Sequence, residues 1–398
     1  MDVERIREDF PILEQGMIYM DSAASTLTPE PVLDSIVGYY RGYRANIHRG
    51  SYRISQTASD RYERARSTVA GFINADEREL AFTKNTTEGI NLIALSLGWK
   101  KGDKIVTTLL EHHSNLLPWL RLRRKGVELI TIKPSYEGIL DVGDFKDVID
   151  DKTKLVAVGH ISNVLGSIAP VEEIGEICKD KSCLFLVDGA QSAPHITVDV
   201  KKIRCDFFAF SAHKMLGPTG VGGLYMREDL VDELEPGVLG GGTVADVSMN
   251  GYELKKTSDR WEAGTPNIAG AIGFERAVNY LKDVGMDEIE SHERRLVKKL
   301  VAGLGDMEGK GVEFYGPRTP DSRVGIVPFN VDGLEPDEVA RLLEVKADID
   351  VRSGDHCAMP LMRDVLGIEG SVRASLYVYN TLGEVEKFIS AMEEIIGH

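Results

Sequence analysis

Between residues 104 and 226, short apolar runs alternate with helix-patterned segments, and no other feature constrains the fold as tightly. Lys104–Thr108 reads as a strand. A helical stretch follows, with Pro118 early, where its missing N–H costs nothing, and Gly126 as the C-cap. Residues 127–132 and 155–158 are two more strands, and a helix opening at Pro170 leads into Leu184–Asp188. Residues 207–210 and 223–226 complete the series. Strands that are apolar at every position are buried on both faces, so they predict an α/β unit with a mostly parallel sheet flanked by helices.

Beyond about residue 275 the pattern changes to amphipathic helices. One runs from Asp287 to Leu304, and the last opens on a capping box of Thr381 and Glu384 with an apolar stripe through residues 385, 388, 389, 392, 395 and 396. Residues 324–329 and 372–376 read as strands among them. The expected division is a large domain over 15–275 and a smaller α+β domain over 276–398, joined by the segment 1–14. The Gly-rich stretch from Pro236 to Asn267 is the longest irregular connection, and a loop of that length in a compact chain is usually functional.

The 47 basic and 63 acidic side chains give a net charge of −16, which disfavours nucleic acid and anionic membrane as partners. The charged N-terminus lacks a signal-peptide core, and no apolar run has the length of a membrane span. Four cysteines, at 178, 183, 205 and 357, form no CxxC pair, which fits free thiols in a reducing cytoplasm. The first three border apolar runs. Cys357 instead lies in a polar loop, Arg352-Ser353-Gly354-Asp355-His356-Cys357-Ala358-Met359-Pro360, where it reads as a nucleophile or a tolerated surface thiol.

Several residues suit pyridoxal phosphate, which needs a lysine for its imine, an acid against its ring nitrogen and donors around its phosphate. Asp188 ends an apolar strand, the end at which ligands bind in such sheets, although alone it reads equally as a loop cap. Lys214 follows the next strand within Ser211-Ala212-His213-Lys214. Asn85-Thr86-Thr87-Glu88-Gly89 opens an apolar helix, and such an N-terminus is either an anion site or a simple cap. His112, in Glu111-His112-His113-Ser114-Asn115, suits ring stacking or proton transfer; the adjacent histidines lack a third ligand for a metal. Arg373, on a predicted strand, suits a two-pronged grip on a carboxylate. Walker A, HExxH and GxSxG motifs do not occur.

Together these residues resemble the aminotransferase class V enzymes of pyridoxal phosphate fold type I, and within them the SufS-like (group II) cysteine desulfurases. The resemblance runs from Tyr19-Met20-Asp21-Ser22-Ala23-Ala24-Ser25 through Val187-Asp188-Gly189-Ala190-Gln191 and Glu262-Ala263-Gly264-Thr265-Pro266-Asn267 to Arg373-Ala374-Ser375. It implies a sheet of the seven-stranded type. It implies that Lys214 holds the cofactor as a Schiff base, that Asp188 pairs with the ring nitrogen, that Gln191 meets the ring oxygen and that His112 stacks on the ring. Thr86, Thr87, Ser211 and His213 would hold the phosphate, and Thr265 would reach it from the other subunit of a homodimer. Asn163 would lie near the ring, Arg373 would take the substrate carboxylate, Asn163, Arg352 and His48 would also bind substrate, and His48 would stand near the mouth of the site. Cys357 would accept sulfur from L-cysteine as a persulfide, leaving L-alanine and supplying an acceptor or iron–sulfur scaffold protein. Asp355 departs from the family, which commonly has histidine there, and an acid two residues from the thiol should raise its pKa. A selenocysteine lyase, a cysteine sulfinate-handling relative and a non-catalytic sulfur carrier remain open alternatives on the same frame.

Overall fold

The computed structural model describes residues 1–397. Its central sheet has seven strands, laid side by side as Leu80–Thr83, Gly222–Met226, Phe207–Ser211, Leu184–Asp188, Thr153–Gly159, Lys104–Thr108 and Glu128–Ile132. Gly222–Met226 runs antiparallel to both neighbours, and the other pairings are parallel. Phe185, Val187, Phe208 and Phe210 pack into one apolar cluster, while Leu155, Leu186, Phe207 and Leu224 belong to another. Alternate side chains of one strand thus enter different cores, which is why these strands read as unbroken apolar runs.

Strand order sets where a ligand can enter. Lys104–Thr108 is followed in the chain by Glu128–Ile132 on one side, but Thr153–Gly159 then pairs with its other side. The connections therefore diverge beyond the carboxyl ends of 104–108 and 153–159, which opens a crevice there.

A second, antiparallel sheet has the order Val312–Phe314, Ile326–Val331, Ser371–Ser375 and Arg352–Gly354. Met286–Gly305 and Leu382–Ile396 contribute Leu296, Leu300, Phe388 and Met392 to the core shared with Val327 and Phe329 of this sheet. The capping box at Thr381 forms as expected, with Glu384 N donating to Thr381 Oγ1 at 3.1 Å and Thr381 N to Glu384 Oε2 at 3.0 Å.

Three details differ from the sequence expectations. The stretch from Pro236 to Asn267 is not irregular throughout: Val244–Ser248 and Gly251–Leu254 form an exposed hairpin around Met249-Asn250. The helix Ile268–Val284 runs unbroken through position 275 and ends where Gly285 takes φ 91°. Ile18–Tyr19 pairs in parallel with Ile349–Asp350, so the N-terminal segment reaches the second sheet's side beyond residue 14. Arg7 helps to tie it there, donating to Tyr379 O at 2.5 Å and Glu384 Oε1 at 2.7 Å.

Candidate active site

The crevice at the diverging strands holds a cavity of about 420 Å³, and each strand end delivers one part of its wall. The loop after Lys104–Thr108 brings Glu111 and His112, and that after Thr153–Gly159 brings Asn163. Asp188 ends its own strand, Gln191 follows it, and Ser211, His213 and Lys214 stand at the end of Phe207–Ser211. The helix Thr86–Ser96 points its N-terminus at the same space. The second sheet closes the cavity with Arg352, Cys357 and Arg373.

Lys214 is poised as an amine. Burial pushes its ammonium down to about 8, against the attraction of Asp188 and with the help of Arg373. Asp188 Oδ1 accepts from Ala190 N at 2.9 Å, and among the described residues no donor reaches Oδ2. Burial raises the Asp188 carboxyl above its ordinary range, so a cation placed against it would be held firmly. Burial, reinforced by Lys214, pushes His112 down to about 3. The neutral His112 ring accepts from Ser114 N at Nδ1, 3.0 Å, which leaves its proton on Nε2. His112 is thus arranged to donate from Nε2 rather than to collect a proton there.

At the helix N-terminus, Asn85 Oδ1 takes the Glu88 N–H and Ser211 Oγ takes the Thr86 N–H, while Thr87 N has no partner among the described residues. Thr87 Oγ1 lies 2.7 Å from Ser114 Oγ, and burial lowers His213 to about 4. The result is a cup of neutral donors at the positive end of a helix, the surroundings a phosphate requires. Buried Gln191 donates to Ala23 O at 2.8 Å, yet its Oε1 has no partner. The amine, the buried acid and the anion cup together fit pyridoxal phosphate.

Asp21 balances the two arginines. Arg352 meets it through Nε and Nη2, the latter at 2.8 Å, and Arg373 Nη2 meets it at 3.2 Å. Arg373 also donates to Asn163 O at 2.8 Å, while its buried Nε is unpaired. Burial lowers Arg373 to about 10, still cationic at neutral pH, and the Asp21 hydrogen bonds raise Arg352.

Of the four cysteines, Cys178, Cys183 and Cys205 are buried and free, and Cys357 is free and exposed. His356 and Cys357 take φ values of 50° and 56°, two successive side-chain-bearing residues in the left-handed region, at about 1–2 kcal/mol each. His356 anchors the loop by donating to Ser371 O at 3.0 Å and accepting at its carbonyl from Asn163 Nδ2 at 2.8 Å. The Asp355 carboxylate is turned to the backbone, where it accepts the Cys357 N–H.

Two residues singled out in the sequence stand outside this wall within the one chain. Thr265 lines a different cavity, with Lys84, Glu88 and Asn267. His48 is absent from the wall of the active cavity, because its ring turns to Glu63 at 2.8 Å and its backbone N–H to Ser59 Oγ. Sequence reasoning missed Asp21 and Glu111. Glu111 accepts from Thr108 Oγ1 at 2.7 Å, Asn115 Nδ2 at 2.5 Å and Gly159 N at 2.8 Å, which bolts the His112 loop to the neighbouring strand. Burial lifts Glu111 to about 7 against those three donors. Each missed acid stood inside a quoted motif, beside a residue that drew the attention. Among the described residues no group of three His, Cys, Asp or Glu side chains is arranged to hold a metal ion.

Residues 18–388 match the model of the family described as aminotransferase class-V. A probable cysteine desulfurase of Pyrococcus abyssi is 50% identical, over 99% of this chain and 97% of that protein. One from Methanothermobacter thermautotrophicus is 44% identical, over 100% and 99%. Among solved structures, the apo cysteine desulfurase of Thermococcus onnurineus superimposes with a TM-score of 0.95 at 50% identity, covering 99% of this chain and 98% of that one. A cysteine desulfurase of Escherichia coli gives 0.90 at 32% identity, covering 100% and 99%. The chain belongs to the aminotransferase class-V family, among the cysteine desulfurases and their reliance on pyridoxal phosphate.

Proposed function

We propose that this enzyme removes sulfur from L-cysteine, releases L-alanine and keeps the sulfur as a persulfide on Cys357. One observation carries the reading: the half-buried Lys214 amine and the exposed Cys357 thiol face a single cavity from its two walls. Pyridoxal phosphate, when bound, supplies an electron sink for charge left at the substrate α-carbon. Thr86, Thr87, Ser211 and His213 would hold its phosphate, Asp188 would face its ring nitrogen and Gln191 its ring oxygen, and His112 and Asn163 would flank the ring.

The residues of the chain divide the remaining work. Arg373, with its spare Nε–H, takes the substrate carboxylate, and Arg352 supports it once Asp21 is displaced. Lys214, neutral above about pH 8, takes the proton from the α-carbon. The Cys357 thiolate then attacks the substrate sulfur. The new S–S bond forms as the C–S bond breaks, its electron pair stays with the carbon skeleton, and protonation yields alanine. The neutral His112 offers a hydrogen bond from Nε2 as charge shifts.

The chain acts as a homodimer in which Thr265 completes the phosphate cup of the other subunit. It works in the cytoplasm, where a small acceptor or iron–sulfur scaffold protein collects the persulfide; among the described residues no helix is long and apolar enough to cross a membrane. The division into a large domain over 15–275 and a small one over 276–398, with 1–14 joining them, is best moved to Gly285, since the helix before it is continuous. The test is alanine formation from L-cysteine with wild type, Lys214→Ala and Cys357→Ser, each with its visible spectrum. Full persulfide output from Cys357→Ser with normal cofactor binding would sink the assignment.

A further inference from the structure

The cysteine loop is tied down by contacts that the chemistry above does not use. His113 follows the cavity-lining His112 but is not itself part of that wall. Its backbone N–H donates to the Cys357 carbonyl at 2.7 Å, and its ring Nε2 accepts the Met359 N–H at 3.2 Å. On the opposite side, Asp355 Oδ1 accepts the Cys357 N–H at 2.9 Å. Both polar backbone groups of Cys357 are therefore engaged. The left-handed torsions of His356 and Cys357 have no glycine to ease them, and such torsions persist only where the surroundings over-determine them.

We propose that His113 and Asp355 are positioning residues that clasp the Cys357 backbone from its two sides, so that the thiol meets the substrate sulfur without a movement of the loop. The proposal rests on Cys357 being the sulfur acceptor. It gives the adjacent histidines separate tasks: His112 serves the ring wall, and His113 fixes the nucleophile's distance from that wall. It also gives Asp355, the departure from the family pattern, a task that needs only its acceptor oxygen and not its charge.

Four variants of the cofactor-loaded enzyme separate these claims. His113→Ala removes the ring acceptor but keeps the backbone N–H, while His113→Gln returns an oxygen near the Nε2 place. Asp355→Ala removes the carboxylate, and Asp355→Asn keeps an acceptor without the charge. Both alanine variants should lower kcat for alanine formation about tenfold, with KM for L-cysteine held within about twofold and the visible spectrum unchanged. His113→Gln and Asp355→Asn should recover most of that rate. Hydrogen exchange, read without turnover, should quicken about tenfold at the Met359 amide in His113→Ala and at the Cys357 amide in Asp355→Ala. Wild-type kcat and wild-type exchange in both alanine variants overturns the proposal. So does a loss that His113→Gln and Asp355→Asn share in full. Cys357→Ser, run alongside, keeps the two readings apart: wild-type turnover there removes Cys357 as acceptor, while the exchange rates still judge the clasp.

Discussion

Lys214 and Cys357 face the same cavity from opposite kinds of surroundings. Lys214 follows a strand whose five residues are all buried, and its neighbours Ser211 and His213 sit on ordinary turn geometry. Cys357 is exposed and sits in a left-handed conformation, and its loop is held from three separate parts of the chain, by Asn163 Nδ2, the Ser371 carbonyl and the His113 backbone N–H. The cofactor wall is thus a property of the sheet, which any member of the fold shares. The thiol is a property of one short loop. A cofactor-binding frame can therefore be kept while the reaction changes, because the part that selects the chemistry does not hold the frame together.

Lys214→Ala should lower alanine formation on the order of a thousandfold and abolish the cofactor's visible absorbance, with the far-ultraviolet circular dichroism unchanged. Retention of substantial turnover would break the contrast at its root. Cys357→Ser should abolish the enzyme-bound persulfide and lower alanine formation about a hundredfold while leaving cofactor absorbance intact, so the two walls fail separately. Arg373→Lys should raise KM for L-cysteine about tenfold, because an ammonium cannot reproduce the forked grip; steady-state kinetics with unchanged kcat would sharpen the assignment to binding. The gentlest probe is pH. A lysine whose pKa has fallen from 10.5 to about 8 becomes neutral as pH rises through 8. The initial rate of pyridoxal phosphate uptake by apoprotein should therefore climb through pH 8 and level off by pH 9. A rise that continues toward 10.5 would show that burial does not govern Lys214.

Much of the frame was legible because it is local. The apolar runs at 104–108, 184–188 and 207–211 carry their burial in their composition, and Asp188 and Lys214 could be placed at strand ends from those runs alone. Direction was not legible: Gly222–Met226 looks like its neighbours but runs against them, since an apolar run encodes burial and not polarity. The four-residue edge strand Leu80–Thr83 is too short for a periodic signal and depends on a partner some 140 residues away. Asp21 escaped notice for a similar reason. Its role comes from Arg352 and Arg373, more than 330 residues further on, and the pairings of Ile18–Tyr19 with Ile349–Asp350 and of Asp21 with Ser375 bring them together. The motif around His48 was recognisable, but the contact of its ring with Glu63 depends on the fold and could not be read from it.

The contact between Asp21 and the two arginines has a consequence for the resting enzyme. Asp21 supplies from within the molecule the carboxylate that a substrate brings from outside, so neither guanidinium is left uncompensated between turnovers. An incoming acid does not fall into a waiting positive well; it exchanges places with an anion already seated there. The net gain from such an exchange is small, so a carboxylate alone is a weak ticket of entry. Retention then depends on the amino group and the sulfur at the far side of the cavity, and discrimination among small acids is built into the empty state of the pocket itself.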